Sequence, residues 1–317
     1  MSTLMRTFDM QLANEYRFAR AHIDRYMRKF IEEDRDGDIQ PLIQQSVEIL
    51  EEFVHREHVY RSNGEPDLKK RQRYAGIQML DIRELVENIL VATLHAQHEE
   101  LFTGFCAKLA GVLKLDDKVD SITTIGEMLA MISGVGLFEL IKYDKFSSLY
   151  IVSNIELTHE LEEYISNCSY LPPLVHKPDP MKHNRDSPYH TIGLTSVILN
   201  SGHHDGDVCL DFIDRMQMTP LCLHTGFLSR VEEEPNTDMS AVDKQNMWLA
   251  MKVRSHEHYK LMVAQGNRFY LGYKEDRRGR AYAQGYHISP QGSPYKKAML
   301  EFADKEAVTG IPKEYQL

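Results

Sequence analysis

Tyr273-Lys274-Glu275-Asp276-Arg277-Arg278-Gly279-Arg280-Ala281-Tyr282-Ala283 gathers three arginines, an aspartate, a glycine and two tyrosines into eleven residues. It runs on to Pro290-Gln291-Gly292 and Lys296-Lys297. Arginine forks match phosphate oxygens in pairs, glycine lets a main chain come close, and tyrosine lies against a sugar or base. Asp276, four residues ahead of Arg280, is placed to hold a guanidinium in one rotamer. A solvated basic turn has the same composition, so the rest of the chain has to decide.

Charge supports the first reading. From Lys252 to Lys297 ten lysines and arginines face three acids, a local balance of +7 in a chain whose net charge is −10. Local field, not net charge, sets where a polyanion docks. With 317 residues, 42% hydrophobic and 26% charged, the chain has the composition of a folded protein with one large core or two modest ones. No apolar run reaches membrane-spanning length and Met1 to Met10 lacks an apolar signal core, so a cytosolic, non-membrane protein is expected. Cys106, Cys168, Cys209 and Cys222 are scattered and read as reduced thiols.

The first half reads as helices. Leu12, Tyr16, Ala19, Ile23, Met27 and Phe30 form one apolar stripe, broken at Asp34-Arg35-Asp36-Gly37-Asp38. Pro41 opens a second helix with Ile43, Val47, Leu50 and Val54 on one face. Ser62 to Asp67 is polar and is the expected early subdomain boundary. Helices are expected over 77–94, 101–113 and 120–132, then a β-hairpin over 137–152. The proline-rich stretch 171–187 should be extended, 208–230 helical, and 240–265 an amphipathic helix.

Asp276 to Ala283, then Pro290-Gln291-Gly292, then Lys297-Ala298-Met299-Leu300, resembles the D-x-x-G-R block of the single-subunit RNA polymerases of phages and mitochondria, with its P-Q-G and K-x-x-L followers in order. Ile213 to His224 is similar to the family helix I-x-x-x-Q-x-T-x-W-x-I-N. It keeps Gln217 and Thr219, but has Leu221 for the tryptophan and His224 for the asparagine. Leu171-Pro172-Pro173-Leu174-Val175, with Pro178 and Pro180, resembles the family's proline-rich strip, and the 137–152 hairpin sits where the family carries its intercalating hairpin.

The resemblance implies a mainly α chain with a small β-hairpin (α+β). It implies a helical N-terminal domain over 1–170 and a strip, core helix and reduced thumb over 171–270. A template- and hybrid-binding element at the start of the palm would occupy 271–317. Nucleic acid would meet Asp276, Arg277, Arg278, Gly279, Arg280, Tyr282, Lys297, Gln217 and Thr219. Arg280 and Gly279 would be contacts and Asp276 an orienter. One of Arg277 and Arg278 would face solvent or a subunit, and Tyr282 would enter the hybrid's minor groove or pack in the core. At the hairpin tip, Lys142, Tyr143, Lys145 and Phe146 would part DNA strands or pack on a partner.

The family transfers nucleotides with two downstream aspartates that hold two magnesium ions, plus a lysine and a tyrosine on a third motif. None has a counterpart here. The chain is therefore expected to act as the small, N-terminal subunit of a split, heterodimeric phage enzyme of this family, the N-four type. It would carry no catalytic residue or cofactor of its own, with magnesium bound by a larger catalytic partner. Template DNA, nascent RNA and an accessory promoter-opening factor would be the other partners, in the cytoplasm of the host cell.

Two other classes stay open. One is a non-enzymatic single-strand-binding accessory protein. The other is a metal-dependent phosphohydrolase built on His203-His204-Asp205-Gly206-Asp207, although that cluster follows a turn and not an apolar helix. Cys209, Cys222 and His224 lack zinc spacing, and the glycine of the 34–38 stretch comes two places early for a calcium loop.

Overall fold

The computed structural model describes residues 3–34, 37–56, 59–60, 63–113, 115–143, 148–167, 170–193, 196–199, 202–235, 239–240, 242–305 and 310. Roughly half the chain is helical and the strands form small antiparallel pairs, an α+β class. Helices α1 (Thr3–Phe18), α2 (Arg20–Glu33), α3 (Ile39–Val54), α4 (Leu68–Ile77) and α5 (Ile82–Leu94) come first. Strand β1 (Glu100–Leu101) leads into α6 (Phe102–Leu109), a 3-10 turn (Ala110–Leu113) and α7 (Lys118–Ile132). Strands β2 (Phe138–Lys142) and β3 (Leu149–Ser153) and helix α8 (His159–Asn167) follow. The last part holds α9 (Leu210–Gln217), β4 (Leu221–Leu223), α10 (Thr225–Leu228), α11 (Val242–Ala264), β5 (Tyr273–Glu275), β6 (Ala281–Ala283), α12 (Pro294–Ala298) and β7 (Leu300–Phe302).

Two compact units divide the chain. One is Asp24–Ser166; the other joins Met1–Ile23 to Asn167–Leu317. The polar 63–66 turn lies inside the first unit, where Tyr60 bridges Pro66, so no unit boundary falls there.

In the unit 24–166, α3, α5 and α7 bury their apolar faces, with Ile43, Leu50, Ile89, Leu94, Met128 and Ile132 wholly enclosed. Asp67, Asp81 and Asp117 cap α4, α5 and α7, each carboxylate accepting the N–H three residues on. The helix expected over 77–94 starts later, at Ile82: α4 ends at Ile77, residues 78–80 turn, and the Asp81 cap opens α5. The expected hairpin is present, Phe138 facing Ser153 and Lys142 facing Leu149, and β1 adds a third strand in the order β1-β3-β2.

In the other unit two apolar clusters form the core. One centres on Val175, Leu223, Tyr259, Met262, Phe269 and Met299. The second gathers Met181, Val197, Ile198, Ile213, Leu271 and Tyr273. Residues 171–187 form no helix, as expected, but they are extended only in part, since the chain turns at 183–186, where Asp186 N donates to His183 O. The helix expected over 240–265 is present as α11, but it has no single apolar face, with Met247, Leu249 and Val253 exposed and Tyr259 and Met262 buried. The helix expected over 208–230 is corrected. Pro220 has no N–H to continue it, and Leu221–Leu223 instead pairs with Leu300–Phe302 as β4–β7.

The long first stripe holds only in its second half, where Ala19, Ile23 and Met27 are buried. The chain breaks at Ala19, Tyr16 is exposed, and α1 buries Gln11, Asn14 and Glu15 instead. Gln11 Oε1 accepts from Val175 N at 2.9 Å, and Asn14 exchanges two 2.9 Å bonds with Gln265. Glu15 accepts from His190 N at 3.0 Å, Thr191 N at 2.7 Å and the Thr191 hydroxyl at 2.6 Å. Polar groups enter this interior because each finds a partner.

Candidate nucleic-acid interface

The arginine-rich segment is the turn of the β5–β6 hairpin. Tyr273 and Glu275 are buried on its inner face, and Glu275 exchanges main-chain bonds with Val197 and Leu199, which fixes β5 from the side opposite β6. Asp276 N donates to Arg280 O and Gly279 N to Asp276 O, both at 2.9 Å, so residues 277–279 turn the chain. Gly279 takes φ 75°, the left-handed region. A Cβ there would meet nothing within 4 Å, so backbone conformation, not close approach, is what calls for glycine.

Asp276 is the hub. Its side chain is 13% exposed and accepts from Arg278 N (2.9 Å) and Arg280 N (3.1 Å). The same carboxylate takes Arg278 Nη2 at 3.1 Å, Arg280 Nη2 at 2.6 Å and the Tyr282 hydroxyl at 3.3 Å. Burial alone would push this carboxyl up. The main-chain and side-chain bonds from Arg280, its charge and the Tyr282 hydroxyl more than reverse that and hold it below the ordinary carboxylate range. One negative charge cannot neutralise both guanidiniums, which remain 70% (Arg278) and 53% (Arg280) exposed. With Arg277, the turn is two charges positive.

Arg277 lies elsewhere. Its Nε sits 2.9 Å from where a Gly202 Cβ would be, so it rests against Gly202 while Arg278 and Arg280 converge. Tyr282 is half-buried, not in the core: the Arg280 guanidinium stands 5.7 Å from its ring. Across the strands from Tyr282 is Lys274, half-buried and without a partner among the described residues, its ammonium pushed below the usual range by burial. Sequence reasoning passed over Lys274; the strand register alone puts it on the face of Asp276 and Tyr282.

Gln291 of the P-Q-G block buttresses the outer strand. Its Oε1 accepts from Ala283 N at 2.7 Å and its Nε2 donates to Ala281 O at 2.8 Å, imitating a neighbouring strand. Ser293 caps α12, which carries Lys297 exposed at its C-terminal end, where a cation complements the helix dipole. Gln217 is not on this surface. It is wholly buried, donates to Asp214 at 3.2 Å, and leaves its Oε1 without a partner among the described residues. Asp214 accepts from Met181 N at 3.0 Å, tying α9 to the proline-rich strip. The Thr219 hydroxyl is spent on Arg215 O at 2.7 Å. His224 caps α10, its ring accepting from Phe227 N at 3.3 Å.

In the unit 24–166, Lys142 ends β2, and Tyr143 donates its hydroxyl to Glu99 and packs edge-on against Tyr150. Lys145 and Phe146 lie outside the described residues, as does Cys168. His203 bonds Asp205 at 3.0 Å and the Ser196 hydroxyl at 2.9 Å. Among the described residues no three His, Cys, Asp or Glu side chains converge as a metal site, and no helix is long and apolar enough to cross a membrane. No protein-family model matches the chain, and no curated protein matches it.

Proposed function

We propose that the β5–β6 turn grips the phosphates of a template strand and its RNA–DNA hybrid, and that this chain is a subunit of a viral, DNA-directed RNA polymerase whose larger partner carries out nucleotidyl transfer. The observation that carries the reading is the pair of guanidiniums, Arg278 and Arg280, aimed by one half-buried carboxylate and left with excess charge. A surface salt bridge made only for stability needs one arginine per carboxylate and is worth little. Here Asp276 fixes the direction of two forks, and their unspent charge and outward N–H groups suit phosphate oxygens.

The magnesium that such chemistry needs does not fit this site. Asp276 is already engaged by two arginines and a tyrosine, and no carboxylate cluster accompanies it among the described residues. Metal binding therefore belongs to the partner in this reading, as does the nucleotide. Asp276 and Gln291 position; Arg278, Arg280, Tyr282 and Lys297 bind.

Arg280→Ala in the complete chain is the test. Affinity for a fluorescein-labelled RNA–DNA hybrid should fall about tenfold, and the slope of log affinity against log salt should drop by about one contact. In the reconstituted pair, elongation should be lost while the subunits still associate. Unaltered hybrid affinity and elongation would overturn the proposal.

A further inference from the structure

Tyr170 and Tyr286 lie ring on ring, centroids 3.7 Å apart and planes 5° from parallel. Each keeps about two-fifths of its surface open, 40% and 39%. Both rings meet His287 edge-on, at 88° and 89°. His287 is itself buried, bonded to the Ser255 hydroxyl at 2.8 Å and set 4.4 Å from the ring of His258. His258 reaches the Tyr170 carbonyl at 3.3 Å. Residues of α11 thus hold the pair from behind, and a ring landing on it meets a surface already ordered.

Two cations flank the stack. Lys296 Nζ lies 5.0 Å from the Tyr286 centroid and donates to the Tyr286 carbonyl at 2.7 Å. Arg254, exposed on α11, lies one turn before His258, whose ring bonds the Arg254 carbonyl at 2.9 Å and reaches the Tyr170 carbonyl. Neither has a carboxylate partner among the described residues. A tyrosine pair whose only task is packing has no need of open rings or of two unpaired cations. An aromatic ligand that carries anionic groups at its edges uses all four side chains, and a nucleotide of a single strand is such a ligand. Tyr286 also lies three residues beyond β6, on the loop that Gln291 fastens to that strand, so it belongs to the segment that makes the arginine turn.

We propose that Tyr170 and Tyr286, with Arg254 and Lys296, form a stacking site for an unpaired base of single-stranded nucleic acid, additional to the arginine turn. It rests on the reading of that turn as a phosphate grip and names what that grip hands on: an unpaired stretch, not duplex.

The test uses the complete chain and an oligothymidine of roughly 12 nucleotides, the span of one single-strand site, with one 5-iodouracil. Irradiation should join it to Tyr170 or Tyr286. Tyr170→Ala should weaken binding of the single strand about tenfold while Tyr170→Trp preserves it, and affinity for duplex of equal length should change less than about twofold. Cross-links confined to other residues, or single-strand affinity unaltered in Tyr170→Ala, overturn the site; the cross-link needs no variant and decides the matter even if Tyr170→Ala misfolds. Arg280→Ala in the same assay separates the two ideas. Weakened binding there beside an unaltered Tyr170→Ala removes the stacking site alone, whereas two unaltered variants remove the arginine grip as well.

Discussion

Glu15 is fully enclosed, which for a carboxylate is unfavourable unless its oxygens are satisfied. Burial pushes its pKa up, but the Thr191 hydroxyl, Gln11 and the His190 and Thr191 N–H groups outweigh burial and hold it below the ordinary value. The residue fastens the 190–191 loop to α1 within one unit. Glu15→Gln keeps the shape but gives up the charge and one acceptor, so it should lower stability by about 2 kcal/mol. Since the folded-state value is depressed, the contribution is fully present above the unfolded value near about 4.3 and fades as pH falls through the lower folded value. Urea midpoints of wild type and variant should therefore differ at pH 7 and converge as pH falls through the depressed folded-state value. Equal midpoints at pH 7 would show that the carboxylate does not anchor the loop.

At the scale of one hairpin, the turn 276–280 combines a backbone demand with a side-chain one. Gly279 sits at φ 75° in open space, so a side chain there meets torsional resistance and no clash. Gly279→Ala should destabilise the hairpin by about 1 kcal/mol, with Gly279→Asn in between because asparagine tolerates the left-handed region. Hybrid affinity should follow the same order, glycine over asparagine over alanine, read by fluorescence anisotropy; alanine matching glycine would mean the turn geometry does not aim the arginines. Much of this element was legible. Composition marked the turn, spacing put Asp276 within reach of Arg280, and a change of period around a polar tip marked the hairpin expected over 137–152. Strand β4 was not, because its partner β7 lies nearly 80 residues on and local pattern carries no trace of it. Gln217 was misplaced for a related reason: a motif match names a residue type but not which way its helix turns.

On the scale of the whole molecule, chain order and fold part company: the first 23 residues belong with 167–317, and 24–166 is a unit of its own. Hydrophobic periodicity hides this, because α1 buries amides and a carboxylate whose partners are far downstream in sequence. Gln11, Asn14 and Glu15 supply acceptors or donors to Val175, Gln265, His190 and Thr191, all within one unit. Removing residues 1–18 leaves several of those buried main-chain and side-chain groups unpaired, each loss worth about 1–3 kcal/mol. The damage should be selective. Amide hydrogen exchange should speed up by more than about tenfold in 174–191 and at the C-terminal end of α11, while α3, α5 and α7 keep their protection. Because the arginine turn stands on the cluster of Met181, Val197, Ile198 and Tyr273 in that same unit, hybrid affinity should fall in step with the exchange. Faster exchange spread evenly over both units, or confined to 24–166, would mean that α1 supports something other than the strip on which the nucleic-acid interface is built.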